Sequence, residues 1–390
     1  MTDGPLAGFR ILDLSSVISG PFCTMLLGDL GADIIKIEAP EGDTLRTFSR
    51  PQKNGVSAGF LAFNRNKRSI IIDLQKDGGR DLVRRMASKA DALIENNRPG
   101  VADRLGIGYA DIRRVNPKIV YCSISGFGPD GPNANAPAYD PLIQGYSGLF
   151  NLQGARVGRP MGVQMAMADK LTSMTAALCI VSALHAARNR GVGQYVRVPM
   201  LEAVIAFNFN DTGFAYVLQP PEEFKDQLPR SVTVEPFKTR DGYIAVGPFT
   251  DAQYRAIAVA LGHPEWWDES VPRMERVRAI LRNSAQVYQE RNSADLLAAL
   301  QEQDVPCAPV HTYESLFKDP DVIANQIFFM YDHPDAGKVL ANRCAARFSE
   351  TPMQMRRVPP RLGEHTDELL RESGIERREI EELRAAGVIK

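Results

Sequence analysis

Phe9-Arg-Ile-Leu-Asp-Leu14, Ser15-Ser-Val-Ile-Ser-Gly20-Pro21 and Asp33-Ile-Ile-Lys-Ile-Glu38 decide the fold class. The first is a short, mostly apolar run that reads as a buried strand. The second is a loop of small residues, followed by Met25, Leu26 and Leu30 on a short helix that Gly31 stops. The third is again a strand. A strand, a crossover helix and a second strand place the two strands parallel. The loop at the carboxyl end of the first strand then lies where open parallel sheets bind ligands. It lacks Gly-x-Gly-x-x-Gly, so a dinucleotide site is not supported. The alternation continues with a strand from Ser69 to Leu74, a helix from about Asp77 to Lys89, and a strand from Ala92 to Glu95. Two short helices, strands from Lys118 to Ile124 and Tyr195 to Val198, and a helix starting near Met200 follow. The expected fold class is α/β: a Rossmann-like open parallel sheet in a large domain, with a smaller α/β domain beyond it.

Composition bounds the alternatives. The chain has 390 residues, 44% of them hydrophobic, and a net charge of −1, which leaves room for two globular domains. Lys and Arg are interspersed with Asp and Glu, so there is no footprint for a nucleic-acid partner. No apolar run reads as long enough to span a bilayer, and Met1-Thr-Asp-Gly-Pro-Leu lacks a signal-peptide layout, so the expectation is a cytoplasmic protein with no membrane partner. The five cysteines, Cys23, Cys122, Cys179, Cys307 and Cys344, are scattered and odd in number. They argue against a disulfide framework and against a metal site, and read as small buried hydrophobes.

From Gly126 to Gly148 the chain is loop-like, rich in Gly, Pro and Asn, and such a long loop in a compact domain is functional or mobile. A composition shift at Gln219-Pro-Pro-Glu-Glu marks a linker. Beyond it, strands Thr233 to Phe237 and Tyr243 to Val246 and helices Asp251 to Leu261 and Ser293 to Gln303 form the small domain. The tail reads as two helices joined at Gly374. The expected layout is residues 1–219 for the first part of the large domain, 220–312 for the small one, and 313–390 for the returning chain. Two crossings between domains leave an open ring that a second copy can thread, so an interlocked homodimer is expected.

One residue carries the functional question. Asp169 stands alone in the nearly uncharged run Met161-Gly-Val-Gln-Met-Ala-Met-Ala-Asp169, ahead of Leu171, Met174, Leu178, Val181 and Leu184 at helical spacing. An aspartate at or near an N-cap is commonly a cap and nothing more. On the residues alone, cap and reactive group both stay open.

The ordered set Gly8-Phe-Arg-Ile-Leu-Asp-Leu with Gly20-Pro21, Leu30-Gly-Ala-Asp-Ile-Ile-Lys-Ile-Glu38, Asn66-Lys-Arg-Ser-Ile70, Glu95-Asn96-Asn-Arg-Pro-Gly100, Asp169 with Gly191-Val-Gly-Gln-Tyr, and Leu362-Gly-Glu-His-Thr366 resembles the class III coenzyme A transferases, the CaiB/BaiF type that includes formyl-CoA transferase. The resemblance implies transfer of CoA from an acyl-CoA donor to a carboxylic acid, with Asp169 as nucleophile and a mixed anhydride and an aspartyl-CoA thioester as intermediates. It implies no permanently bound cofactor; coenzyme A and acyl-CoA are substrates. The CoA-contacting set it implies is Ile18, Ser19, Ile72, Asp73, Leu74, Gln75, Asn96, Asn97, Arg98, Arg104, Tyr139 and Met200. Gly247, Pro248 and Phe249 fall where relatives place a substrate loop; by their own chemistry they read as a strand-to-helix turn. Ala39 and Gln75 replace cations of formyl-CoA transferase, leaving Lys67, Arg68, Lys76 and Arg98 as compensating charges. Related racemases place a histidine where this chain has Tyr139, and none of His185, His263, His311, His333 and His365 lies in that loop. Tyrosine, with a reference pKa of about 10, is a poor base at neutral pH, so transfer is expected over epimerisation or a silent acyl-CoA-binding role.

Overall fold

The computed structural model describes residues 4–155, 157–213, 216–218 and 235–390. The chain divides into two compact units, Met1–Pro229 with Gln326–Lys390, and Arg230–Asn325. The large unit is built on six strands: β1 (Arg10–Asp13), β2 (Asp33–Glu38), β3 (Lys67–Ile71), β4 (Ala92–Glu95), β5 (Val120–Ser125) and β6 (Gln194–Pro199). Their spatial order is β3-β2-β1-β4-β5-β6 and every neighbouring pair is parallel. This is the order of a doubly wound Rossmann-like sheet, with its topological switch between β1 and β4.

Strand alternation divides the core in two. Ile11, Ile34, Ile94, Val120 and Cys122 face the Ser19–Asp29 and Met167–Arg190 helices. Leu12, Ile35, Leu93 and Tyr121 face the other side, against the Asp77–Ala87 helix and the C-terminal residues Leu369, Leu370, Ile380 and Val388. Burial on both faces explains why these strands carry apolar runs rather than alternating patterns.

Three sequence expectations shift. The third strand runs Lys67–Ile71, not Ser69 to Leu74, because two charged residues are buried in it. Lys67 pairs with Asp13 at 2.9 Å, both wholly enclosed, and Arg68 pairs with Asp33, Glu368 and Glu372. Second, the stretch read as loop through Gly148 contains the Asp140–Tyr146 helix, started by Pro141 in its first turn and anchored by the buried Ile143. Third, the Met167–Arg190 helix is long and apolar enough, by length and composition, to cross a membrane. Its inner face, through Ala176, Ile180 and Leu184, packs on the sheet instead.

The small unit has a three-stranded antiparallel sheet of Phe237–Lys238, Tyr243–Val246 and Cys307–Pro309. The helices Asp251–Ala260, Arg273–Glu290 and Ser293–Glu302 pack on it around Ile244, Ile257, Ile280 and Leu296. The linker expected at Gln219-Pro-Pro-Glu-Glu, and Thr233 at the start of an expected strand, lie outside the described residues. The chain returns to the large unit at Gln326, after the short helices Tyr313–Leu316 and Pro320–Ala324 that belong to the small one. It then forms an antiparallel hairpin, Phe328–His333 with Gly337–Asn342, before the two tail helices Thr366–Glu372 and Arg377–Ala385.

Candidate active site

A cavity of about 230 Å³ opens at the carboxyl ends of β1, β4 and β5, across the switch point. Its wall takes Ser16, Val17 and Ser19 from the loop after β1 and Asn96 to Pro99 from the turn after β4. Gly126 at the end of β5, Ala136 to Tyr139, Asp169 and Met200 complete it. Of the residues named from sequence, Ser19, Asn96, Asn97, Arg98, Asp169, Tyr139 and Met200 therefore meet in one place. The segment bearing Tyr139 lies tight on the sheet: a Cβ on Gly126 would sit 2.1 Å from that of Ala138, so only glycine fits.

The loop after β1 is held from below and from the side. Asn96 accepts the Ser16 N–H at 2.9 Å and donates to the Ser16 carbonyl at 2.8 Å. Lys36, fully buried, donates to the Ser15 carbonyl at 2.9 Å and forms an ion pair with Asp43 at 2.9 Å. Asp43 in turn accepts the Val17 N–H at 3.3 Å. Val17 has φ 67°, the one β-branched residue with a left-handed backbone among the described residues. That conformation costs a valine roughly 1–3 kcal/mol and persists only where the surroundings enforce it. Beneath the loop, burial would raise the Asp13 carboxyl, but Lys67 and Lys36 outweigh it and hold the group well below the carboxylate range. Burial brings the Lys67 amine down to about 8 against the pull of Asp13.

Asp169 is not the N-cap. The helix is Met167–Arg190 with Ala166 at the cap, so Asp169 sits at the third helical position. Its own N–H, one of the unpaired donors of a helix start, is satisfied by Asp140 Oδ2 at 3.0 Å. Asp140 is buried and also accepts from Gln144 Nε2. Gln144 then donates to the Met165 carbonyl and accepts the Val163 N–H, both at 3.0 Å. The cap has thus been delegated to Asp140, leaving the Asp169 carboxylate free to line the cavity as its only acid among the described residues. Burial first, and the neighbouring Asp140 charge second, push the Asp169 carboxyl up to about 7. A poorly solvated carboxylate is more basic and, once ionised, a stronger nucleophile. Ser173 ties this helix to the loop by donating to the carbonyls of Ser19 and Asp169, at 2.6 and 2.7 Å.

The remaining expected residues distribute differently. Ile18 is the cap residue of the Ser19–Asp29 helix, adjacent to the cavity wall. Ile72, expected in the CoA-contacting set, is a core residue with no exposure, because its side chain is buried against the sheet's second apolar layer. Asp73, Leu74 and Gln75 follow β3 on the same carboxyl edge of the sheet; Asp73 accepts the Gln75 N–H at 2.9 Å. Lys67 and Arg68 are enclosed and neutralised, so these two do not act as the compensating cations, whereas Lys76 is exposed and donates to the Ala386 carbonyl. Arg98 and Arg104 are exposed, with guanidinium groups unpaired among the described residues. Gly247, Pro248 and Phe249 lie in the small unit, where they lead from a strand into the Asp251–Ala260 helix. Phe249 is 86% exposed and its N–H donates to Gln253. Among the described residues no histidine lines the cavity. Of the cysteines, Cys23 and Cys122 are buried and their thiols raised by desolvation, as are those of Cys307 and Cys344, which makes them poor nucleophiles. Sequence reasoning missed Asp140 and Gln144. Asp140 is legible only as a charge preceding Pro141, an ordinary turn or helix-start signal.

A model of CoA-transferase family III matches residues 6–366. Succinyl-CoA:glutarate CoA-transferase from Homo sapiens is 33% identical over 394 residues, covering 99% of this chain and 90% of that protein. Succinate–glutarate CoA-transferase from Agrobacterium fabrum is 34% identical, covering 94% of this chain and 95% of that protein. Among solved structures, a CaiB/BaiF family protein from Brucella suis superimposes with a TM-score of 0.81 at 30% identity, over 95% of this chain and 100% of the other.

Proposed function

The chain belongs to CoA-transferase family III, and from that premise we propose that Asp169 carries CoA between two carboxylic acids. Its carboxylate oxygen attacks the thioester carbonyl of an acyl-CoA; the C–S bond breaks and CoA leaves as thiolate, giving a mixed anhydride. The thiolate then attacks the aspartyl carbonyl, the donor acid departs as carboxylate, and an aspartyl-CoA thioester remains. The acceptor carboxylate attacks that thioester and the same two steps run backwards. No net proton, electron or water is consumed, so acyl activation is conserved as long as water stays out.

The observation that carries this reading is the placement of Asp169: among the described residues the one acid in a cavity at the switch point of a parallel sheet, with its capping duty taken by Asp140. Arg98 and Arg104 supply cations for the CoA phosphates, and Asn96, Asn97, Ser19 and Met200 border the thioester end. Tyr139, 66% exposed at the cavity rim, replaces the base that a racemase requires. The likeness to the two succinate and glutarate enzymes supports short saturated dicarboxylic acids as substrates. A homodimer is part of the proposal. The Met167–Arg190 and Met200–Thr212 helices leave Met174, Leu178, Ile205, Phe207 and Phe209 exposed, an apolar surface that a second copy would cover.

Incubating the protein with succinyl-CoA and digesting it tests the chemistry. A CoA-sized mass on the peptide containing Asp169 is expected, together with loss of transfer by at least about a thousandfold in Asp169→Ala. A label on a cysteine peptide, or near-normal transfer by the variant, would sink the reading.

A further inference from the structure

Val17 is the place where local backbone chemistry and the observed conformation disagree most. The other non-glycine residues with left-handed backbones are Asn54, Asn66, Asp304 and Gln326, all polar, and Asn and Asp in particular tolerate that region. A β-branched side chain does not, yet Val17 is kept there by the Asp43 carboxylate on its own N–H and by the Asn96 clamp on Ser16. Backbone demand alone would be met better by glycine or asparagine. What valine adds is a rigid pair of methyl groups, and it adds them to the wall that also contains Asp169.

The neighbouring wall is divided by polarity. Ser16, Asn96, Asn97 and Arg98 form a polar side, whereas Val17, Ile124, Pro137, Ala138 and Met200 supply apolar surface. We propose that Val17 is a specificity-determining residue: its methyl groups bear on the carbon next to the reacting carboxyl and select acids whose α-carbon is a plain methylene over acids bearing hydroxyl or oxo groups there. This deepens the transferase reading and rests on it. The physical ground is desolvation, since an α-hydroxyl against that wall would lose its water without gaining a partner. Discrimination of this kind is moderate, because an apolar pocket rejects an added hydroxyl by only about a hundredfold at most. The strain is the second half of the inference: it is tolerated because the side chain, and not the backbone, is what the position is for.

The test uses a symmetric pair of acceptors, so that either carboxyl presents the same α-carbon. With glutaryl-CoA as donor, succinate and tartrate compete, and the ratio of succinyl-CoA to tartryl-CoA formed reads the specificity directly. Val17→Thr retains shape, branching and strain but replaces a methyl group by a hydroxyl; it should lower that ratio about tenfold, with an unchanged melting temperature. Val17→Gly should also lower the ratio and should melt no earlier than wild type, because the left-handed backbone is free for glycine. Should Val17→Thr keep the wild-type ratio within twofold, or Val17→Gly unfold at a lower temperature, Val17 is a packing residue and the inference fails, while wild-type transfer to succinate leaves the transferase reading intact. If the wild-type protein forms no succinyl-CoA from glutaryl-CoA, the transferase reading itself falls, and this inference with it.

Discussion

Asp169 and Asp140 divide between them two tasks that one aspartate at a helix start often combines. Asp140 accepts the helix N–H, and Asp169 is released to the cavity. Their proximity has a pH signature. Asp169 attacks as carboxylate and its carboxyl is raised to about 7, so transfer should fall as pH drops through that value and level off above it. Asp140→Asn retains an oxygen acceptor for the Asp169 N–H but removes the like charge. The acidic limb of the kcat/KM profile should then move to lower pH, without returning to the ordinary carboxylate range, because burial is the larger cause. An unmoved limb, with only stability reduced, would reduce Asp140 to a cap. At this scale the sequence was legible where a charge broke an apolar run, as at Asp169. It misled where a charge was assumed to be solvated: Lys67 and Arg68 looked available for phosphate and are instead buried partners of Asp13, Asp33 and Glu372.

Among the elements, hydrophobic runs located β2 and β4 to the residue, since nothing competes with burial there. β3 was displaced because ion pairing overrode the preference of Lys67 and Arg68 for water. The edge position of β3 also accounts for the Leu362-Gly-Glu-His-Thr366 motif. Gly363 and His365 donate their N–H groups to Ser69, and the His365 ring accepts from the Ser69 N–H at 3.2 Å, so the tail covers the open edge of the sheet. The Asp140–Tyr146 helix was hidden in a Gly- and Pro-rich stretch, and its role emerges only through Gln144, which staples it to the segment leading into Asp169. Gln144→Leu would leave the Met165 carbonyl and the Val163 N–H without their side-chain partner at a half-buried position. A loss of roughly 1–3 kcal/mol in urea unfolding is expected, with a fall in kcat from a displaced nucleophile. Unchanged stability would mean that water replaces the staple.

At the scale of the molecule, the division into two units and the return of the chain were readable from composition and alternation, but the return lies at Gln326 because two further short helices stay with the small unit. The hairpin Phe328–His333 with Gly337–Asn342 escaped notice, its strands being half-exposed and so without a clear apolar period. The Met167–Arg190 helix, long and apolar enough to cross a membrane, leaves Met174 and Leu178 exposed on its outer flank. The proposed homodimer gives it another explanation, and light scattering after size-exclusion chromatography should return about twice the 43.0 kDa chain mass at micromolar concentration. An active particle of single-chain mass would remove the dimer from the proposal.

Asp13 and Lys67 close the account at a different level. Each is wholly enclosed, and each is the other's counter-charge directly beneath the loop that walls the cavity. Replacing either alone strands a charge away from water, at a cost of about 3–5 kcal/mol, whereas replacing both by apolar residues of similar volume is often nearly neutral. In evolutionary terms the two positions therefore form one heritable unit. Lineages descending from this chain should retain both or exchange both in quick succession, and a single exchange should be found only beside a compensating change among the polar side chains around the pair: Ser15 and Thr24, which donate to Asp13, Asn64, which accepts from Lys67, and Lys36, whose charge also acts on Asp13.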